Sequence, residues 1–126
     1  MEKTKWSTKN FFESLKYAIN GVKYVFRSQR NILIQSVFTL IAVLCGIFFR
    51  ISAMEWCILS ITIALVIFAE LMNTAIETTI DLVTEEPNEK AKIAKDVAAG
   101  AVLITAVNSI IVGLVIFAGK LINIFF

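Results

Sequence analysis

Three long stretches without a charged residue constrain this 126-residue chain more than any other feature. They cover residues 31–49, 56–69 and 97–119, which are 19, 14 and 23 residues long. About 20 predominantly apolar residues in an α-helix cross the hydrocarbon core of a bilayer. Hydrophobic residues make up 58% of the chain, which is more than an ordinary soluble domain contains. The sequence therefore predicts an all-α integral membrane protein with three transmembrane helices.

The basic residues cluster before the first stretch and between the second and the third. By the positive-inside rule, the N-terminus and residues 82–95 are predicted to be cytoplasmic, and the C-terminus to lie outside. Because these charges flank membrane spans and have no nucleic-acid-binding fold around them, we expect no nucleic-acid partner. The clustered cations are Lys3, Lys5, Lys9, Lys16, Lys23, Arg27, Arg30, Lys90, Lys92 and Lys95.

Residues 10–28 carry apolar side chains at helical spacing, with charged and polar side chains on the opposite face. A basic amphipathic helix beside a membrane span is predicted to lie in the cytoplasmic interface. Packing of this surface helix against the rest of its own protein is the competing interpretation, and both can hold at once.

The remaining organisation follows from span lengths and helix breakers. Residues 82–95 are predicted to form a cytoplasmic loop, because Pro87 breaks a helix. Residues 1–126 are expected to form a single domain. Three helices in so short a chain bury little core, so self-association is expected. The predicted transmembrane helices are 31–49, 56–81 and 97–119.

Four polar side chains share one face where the second span ends, since their spacing of three, four and four residues follows the turn of an α-helix. A carboxylate inside a membrane is costly, so it is usually paired or functional. One interpretation is that the column holds an oligomer together through hydrogen bonds. The interpretation we prefer is a Mg²⁺ site, with a second carboxylate serving as a general base. The four residues are Glu70, Asn73, Glu77 and Asp81.

Lys95 and Asp96 precede the third span and supply the opposite charge. A lysine at the membrane surface beside a carboxylate column can hold phosphate, and Asp96 can fix that lysine or cap the coming helix. Snorkelling and capping are the plainer interpretation of this pair. Together, the carboxylates and Lys95 suggest phosphoryl transfer to a lipid alcohol, without the GxxxxGK[ST] loop of P-loop enzymes.

Three segments resemble the small bacterial integral-membrane lipid kinases, the prokaryotic diacylglycerol kinase and undecaprenol kinase family. They are E-L-M-N-T-A-I-E-T-T-I-D at 70–81, A-K-I-A-K-D-V-A-A-G-A-V at 91–102 and K-Y-A-I-N-G at 16–21. The resemblance implies a homotrimer with three spans and a surface helix in each chain. It also implies active sites shared between subunits at the cytoplasmic interface, with ATP as phosphoryl donor and Mg²⁺ as metal.

The resemblance also implies roles for single residues. Glu70 corresponds to the catalytic base that acts on the lipid hydroxyl, Glu77 to the main metal ligand and Lys95 to a contact of the ATP phosphates. Asn73 corresponds to a polar partner of substrate or metal, and Asp81 to a supporting site residue. Asp96 lies beside Lys95.

One position departs from the family pattern. Family members commonly carry a metal-binding glutamate just before the first span, and this chain has Gln29 there. Glutamine keeps an oxygen ligand but loses a charge, so we expect weaker Mg²⁺ binding or greater dependence on Glu77. A shift of the alignment cannot supply another acid, because none lies between Glu13 and Glu55.

The segments at 73–83 and 91–102 are closer to the undecaprenol kinase branch, so undecaprenol is the expected substrate. Phosphorylation of diacylglycerol to phosphatidic acid is the alternative within the family. A non-enzymatic scaffold or pore subunit is the alternative from another class, although it leaves the carboxylate column and Lys95 unexplained. The expected location is the bacterial cytoplasmic membrane, with the active site on the cytoplasmic side.

Overall fold

The computed structural model describes residues 8–126, which form four α-helices joined by short connections. Three of the helices are long and apolar enough to cross a membrane, judged by length and composition. The predicted class, an all-helical chain with three membrane-length spans, is confirmed. Lys3 and Lys5, which entered the prediction of orientation, lie outside the described residues. The helices are α1 (Thr8–Ser28), α2 (Arg30–Phe49), α3 (Ala53–Val83) and α4 (Glu89–Phe125).

A single residue, Gln29, separates α1 from α2. Its backbone is extended, with φ −108° and ψ 115°, and its N–H donates to the carbonyl oxygen of Val25 at 3.0 Å. Val25 and Ile32 are both buried and flank the corner, so apolar burial anchors the change of direction. Helix α1 includes the whole of the predicted surface helix 10–28.

The turn between α2 and α3 is short. Arg50 adopts the left-handed conformation, with φ 52° and ψ 54°, and ends α2. Ser52 and Glu55 then form a reciprocal capping box, in which each side chain accepts the other residue's backbone N–H at 3.1 Å. This box satisfies N–H groups that a helix start leaves unpaired, so α3 begins at Ala53, before the predicted span.

The connection between α3 and α4 is shorter than the predicted loop 82–95. Helix α3 continues to Val83 and α4 begins at Glu89, which leaves residues 84–88 between them. The Asn88 side chain accepts the N–H of Ala91 at 3.1 Å and caps α4. The prediction used Pro87 and the charges to define a loop, but the cap at Asn88 lets α4 extend past the apolar span.

Helices α3 and α4 form an antiparallel pair, and their contact is the most extensive between helices in the described chain. At one end, Lys120 of α4 binds Glu55 of α3, with 2.9 Å between nitrogen and oxygen. At the other end, Lys95 binds Asp81 at 2.7 Å. At 1.5 Å per residue, about 38 Å of helix separates the two ion pairs. This length lies between that of the hydrocarbon core and that of a whole bilayer, so both pairs fall at the level of the lipid headgroups.

One cluster of buried apolar residues lies near the α2–α3 turn, where Ile51, Leu59, Ile116 and Phe117 pack together. Six further buried apolar residues lie elsewhere in the described chain, namely Val25, Ile32, Val66, Ala69, Ala98 and Val102. Many large apolar side chains of α2 and α4 are exposed on the single chain. On membrane-spanning helices such faces contact lipid or other helices. The exposed apolar surface therefore fits the three predicted spans.

Candidate active site

Glu70 lies on α3 and is the most deeply buried ionisable side chain of the described chain, with 1% exposure. The Asn31 Nδ2 donates to its Oε1 at 2.9 Å, and the Gln35 Nε2 donates to the same atom at 3.0 Å. No ion pair of the described residues reaches Glu70. Two neutral amides therefore satisfy one oxygen of this buried carboxyl group.

Asn31 and Gln35 were not predicted as site residues. They stand four residues apart on α2, which places both on one face of the helix. Their signal in the sequence is a pair of carboxamides in the first turns of an otherwise apolar span. Carboxamides there need partners, and the polar column on the next span offers one. The prediction treated residues 31–49 as one uncharged stretch and therefore did not consider the two carboxamides as site residues.

The polar column changes from buried to exposed along α3. Asn73 is buried at 9% exposure, Glu77 is half-buried and Asp81 is exposed. The Asn73 Nδ2 donates to the Glu77 Oε1 at 3.2 Å. The Asn73 Oδ1 is buried and has no hydrogen-bond partner in the described part of the chain. The column thus brings a carboxylate and an unpaired amide oxygen to the level between Glu70 and the surface.

Lys95 points to the column, but its partner differs from the prediction. Its ammonium donates to Asp81 at 2.7 Å, across from α4 to α3. Asp96 does not fix Lys95 and does not cap α4, because it lies within the helix and pairs with Lys92 at 2.6 Å. A spacing of four residues puts Lys92 and Asp96 on one face, whereas adjacent residues point apart.

Both lysines precede the apolar part of α4, so they lie outside the membrane-spanning segment. The hydrogen bond that Lys95 donates to Asp81, together with the charge of Asp81, raises the pKa of the Lys95 ammonium. The hydrogen bond and charge of Asp96 do the same for the pKa of Lys92. Both side chains are therefore cationic at neutral pH, and Lys95 presents its charge beside the column.

Gln29 lies at the start of α2 and makes no side-chain cap for that helix. In the described chain it makes no hydrogen bond to Glu77 or Asn73. Residues 8–126 contain no group of three or more His, Cys, Asp or Glu side chains that could hold a metal. A metal at the column would therefore need ligands beyond the acidic side chains of one described chain.

An apolar groove of about 290 Å³ opens between α2 and α3. Phe26 and Ile32 line it on the α1–α2 side, and Val66 and Ile67 on the α3 side. Gln35, which donates to Glu70, also lines this groove. An apolar surface therefore reaches the side chain that holds the buried carboxylate.

These features define an all-helical membrane protein that carries a carboxylate and lysine site at one end of its spans. The family model for prokaryotic diacylglycerol kinase matches residues 16–117, so the chain belongs to this family. The match covers the column, the α3–α4 connection and most of α4. The predicted enzyme class, a lipid kinase, is confirmed by this membership and by the relatives.

Three curated relatives carry kinase names. The undecaprenol kinase of Bacillus subtilis (strain 168) is 41% identical over 111 residues, which cover 88% of this chain and 90% of the relative. A diacylglycerol kinase of Synechocystis is 39% identical over 115 residues, or 90% of this chain and 66% of the relative. The diacylglycerol kinase of Escherichia coli (strain K12) is 27% identical over 95 residues, or 75% of this chain and 78% of the relative.

Proposed function

We propose that this chain transfers the γ-phosphoryl group of ATP to the hydroxyl group of a membrane lipid in a Mg²⁺-dependent reaction, and that the lipid is undecaprenol. The observation that carries the proposal is Glu70, an ionisable side chain with 1% exposure that two neutral amides bind. A carboxylate at this depth is costly without a purpose. A lipid kinase needs a base where the lipid hydroxyl arrives.

Glu70 is the proposed general base. The O–H bond of the lipid alcohol breaks and its proton passes to the Glu70 carboxylate. The alcohol oxygen bonds to the γ-phosphorus as the bond from that phosphorus to the β–γ bridging oxygen breaks, which releases ADP. A positioned general base contributes about 10²–10⁴-fold to such a step. The amide partners leave the second oxygen of Glu70 without a hydrogen bond in the described chain, where a substrate hydroxyl can donate to it.

Asn73 and Glu77 are the proposed metal ligands. The fit rests on the Asn73 Oδ1, which is buried without a partner while the Nδ2 of the same amide binds Glu77. Mg²⁺ favours oxygen ligands and is bound by one or two carboxylates together with waters and substrate phosphates. Bound there, it would neutralise charge on the phosphoryl group in transfer. We propose Gln29 as a further, uncharged ligand, on the basis of its position in the family pattern.

Lys95 is the proposed contact of the ATP phosphates. Its side chain is 41% exposed and is held by Asp81, so it can reach a phosphate without leaving the column. We propose that Asp81 orients this lysine. Asp96 supports the site only indirectly, through Lys92 on the neighbouring face of α4.

The groove between α2 and α3 is the proposed path of the lipid chain toward Glu70. Its apolar walls and the contact of Gln35 with Glu70 support this proposal. The choice of undecaprenol rests on the Bacillus subtilis relative, which this chain matches over 90% of that protein's length. Diacylglycerol is the second candidate, because the Synechocystis and Escherichia coli relatives bear that name.

We further propose a homotrimer with shared active sites, in the cytoplasmic membrane of a bacterium. The exposed apolar faces of α2 and α4 support association within a bilayer. The basic charges support a cytoplasmic N-terminus and α3–α4 connection. Helix α1, with its basic face, is proposed to lie along the cytoplasmic interface.

The test is phosphate transfer from radiolabelled ATP by the purified protein in detergent with Mg²⁺, with undecaprenol and diacylglycerol offered side by side. We expect label in undecaprenol and none with Glu77→Ala. Label only in diacylglycerol would move the substrate to the second candidate. If neither lipid is labelled, even by Gln29→Glu, the proposed reaction is wrong.

A further inference from the structure

We propose that Asn31 and Gln35 are positioning residues that fix the Glu70 carboxylate so that one of its two oxygens, Oε2, receives the proton of the lipid alcohol. This inference rests on the proposed role of Glu70 as base and adds two residues of another helix to the site. It starts from the fact that both amides donate to the same atom, Oε1.

Two donors on a single oxygen hold the carboxyl group and leave its other oxygen without a partner. They occupy the lone pairs of Oε1 and fix the plane of the group, since each bond is strongly directional. No hydrogen bond of the described chain involves Oε2. We call the two hydrogen bonds that Asn31 and Gln35 donate to Oε1 the clamp. Within the described chain, the clamp leaves Oε2 available to the substrate.

The Gln35 amide donates to Glu70 and to no other group of the described chain. The Gln35 Nε2 faces the carboxyl group, while its Oε1 is buried and has no partner among the described residues. An unpaired buried acceptor is costly, so this arrangement is retained although it leaves one amide oxygen unsatisfied.

Helix α2 carries both residues that bind Glu70 and also forms one wall of the groove. Asn31 and Gln35 lie on consecutive turns of α2, and Gln35 is also part of the groove wall. A lipid that enters between α2 and α3 passes the same helix that orients Glu70. Positioning of the base and arrival of the alcohol thus depend on one helix pair, and an error of about 1 Å there costs on the order of 10²-fold in rate.

The test compares Gln35→Met and Asn31→Leu, which remove each donor at similar size, with Gln35→His, whose ring N–H restores a donor at a similar distance. Ser109→Ala is the matched control, because the Ser109 hydroxyl lies on α4 outside the groove lining and binds the Ala106 carbonyl of its own helix. Each variant is purified in detergent, and only protein with the wild-type elution volume and helical circular dichroism enters the assay of lipid phosphorylation.

We expect kcat to fall about 10–100-fold in Gln35→Met and in Asn31→Leu, as for loss of a hydrogen bond to a charged group. The KM values for ATP and for the lipid should stay within about twofold, since the clamp acts on the base and not on binding. Gln35→His should recover most of the loss, and Ser109→Ala should behave as wild type.

Two results would overturn the clamp while leaving the base in place. One is unchanged kcat in both donor variants when Glu70→Gln is inactive. The other is a raised KM for the lipid at unchanged kcat, which would make Gln35 a binding residue. An active Glu70→Gln variant would instead refute the proposed base, so the two failures are distinguishable. If both donor variants fail to fold, the folded Gln35→His variant is used to test the clamp. A wild-type kcat in this variant supports the clamp, and a kcat as low as that of Glu70→Gln contradicts it.

Discussion

The two ends of the α3–α4 pair carry the same kind of ion pair but use it differently. At the turn end, Lys120 binds Glu55 and also donates to the Ile116 carbonyl of its own helix, while Glu55 completes the capping box with Ser52. Both charged groups at the turn end therefore bind groups that hold the helix ends in place. At the column end, Lys95 binds Asp81, but the amide oxygen of Asn73, about two turns away on the same face of α3, has no partner in the described chain.

The packing also differs between the turn end and the column end. The turn end holds the core of Ile51, Leu59, Ile116 and Phe117 and a close contact between Gly46 and Trp56. The column end has Glu70 buried between α2 and α3 and an apolar groove beside it. The buried side-chain oxygens without a hydrogen-bond partner in the described chain, Gln35 Oε1 and Asn73 Oδ1, both lie at the column end, as expected when a functional site departs from the best-packed arrangement.

The strongest test of this comparison exchanges one carboxylate at each end for its amide. Glu70→Gln removes the proposed base and should lower kcat about 10²–10⁴-fold. Its thermal unfolding should change little, because glutamine has the same shape and its side-chain oxygen can accept both amide hydrogen bonds. Glu55→Gln should do the reverse, with near wild-type kcat and a lower unfolding midpoint. Lipid phosphorylation and thermal circular dichroism in detergent measure the two effects, and equal loss of kcat in both variants would contradict the division.

The sequence was sufficient for the spans and for the column, and the reason lies in their periodicity. A long stretch of apolar residues is typical of a membrane span, and a polar spacing of three, four and four is typical of one helix face. The helices are found where those patterns lie. The family segments then gave roles to Glu70, Glu77 and Lys95, which stay predictions until they are measured. These features are local, so neighbouring residues suffice to read them.

The partners across helices could not be read in the same way. Asn31 and Gln35 meet Glu70 over a separation of 35 residues or more, and nothing local specifies which span α2 packs on. The choice of Asp81 over Asp96 as the partner of Lys95 also depends on the register of α3 against α4. The start of α4 at Glu89 was missed because the cap at Asn88 outweighs the run of charges that suggested a loop.

Two lysines three residues apart sharpen the comparison within the column end. Lys95 binds Asp81 across the helix pair, whereas Lys92 binds Asp96 on its own helix. Lys95→Met should raise the KM for ATP about 10–100-fold, since a charged contact to phosphate is lost. Lys92→Met should change it less than about twofold, because exposed pairs within one helix contribute little. Steady-state kinetics with varied ATP measures both, and a similar effect of the two would remove Lys95 from the site.

The turn end has its own sensitive position at Gly46. A Cβ there would lie 2.7 Å from the Cη2 of Trp56 and 3.1 Å from the Cδ1 of Ile51. Gly46→Ala should therefore lower the free energy of unfolding by about 1–3 kcal/mol through overpacking. Gly113→Ala is the control, because its Cβ would meet nothing within 4 Å. Denaturant titration in micelles measures the difference. A stabilised Gly46→Ala would mean that Trp56 moves aside freely and that the packing is loose.

The missing charge at Gln29 predicts a moderate effect confined to the metal. Gln29→Glu should lower the Mg²⁺ concentration for half-maximal activity roughly tenfold, because ligand charge tunes the affinity of such sites. The KM for the lipid and the thermal midpoint should not change. A Mg²⁺ titration at fixed ATP measures this, with Ser28→Glu as a control for a charge one residue away. An unchanged Mg²⁺ requirement would separate Gln29 from the metal.

The smallest expected effect is the loss of the ion pair at the turn end. Lys120→Met removes the partner of Glu55, but both side chains are about a third exposed, and water and salt screen pairs of this kind. The variant should unfold only a few degrees lower and should phosphorylate lipid as the wild type does. A double-mutant cycle that combines Lys120→Met with Glu55→Gln measures the interaction free energy of the ion pair. Lys120→Met alone leaves the capping box intact, so the two contributions of Glu55 can be separated. A loss of kcat in Lys120→Met at an unchanged midpoint would mean that the turn end also serves the reaction, because the antiparallel helices would then transmit a change at Lys120 to the column about 38 Å away.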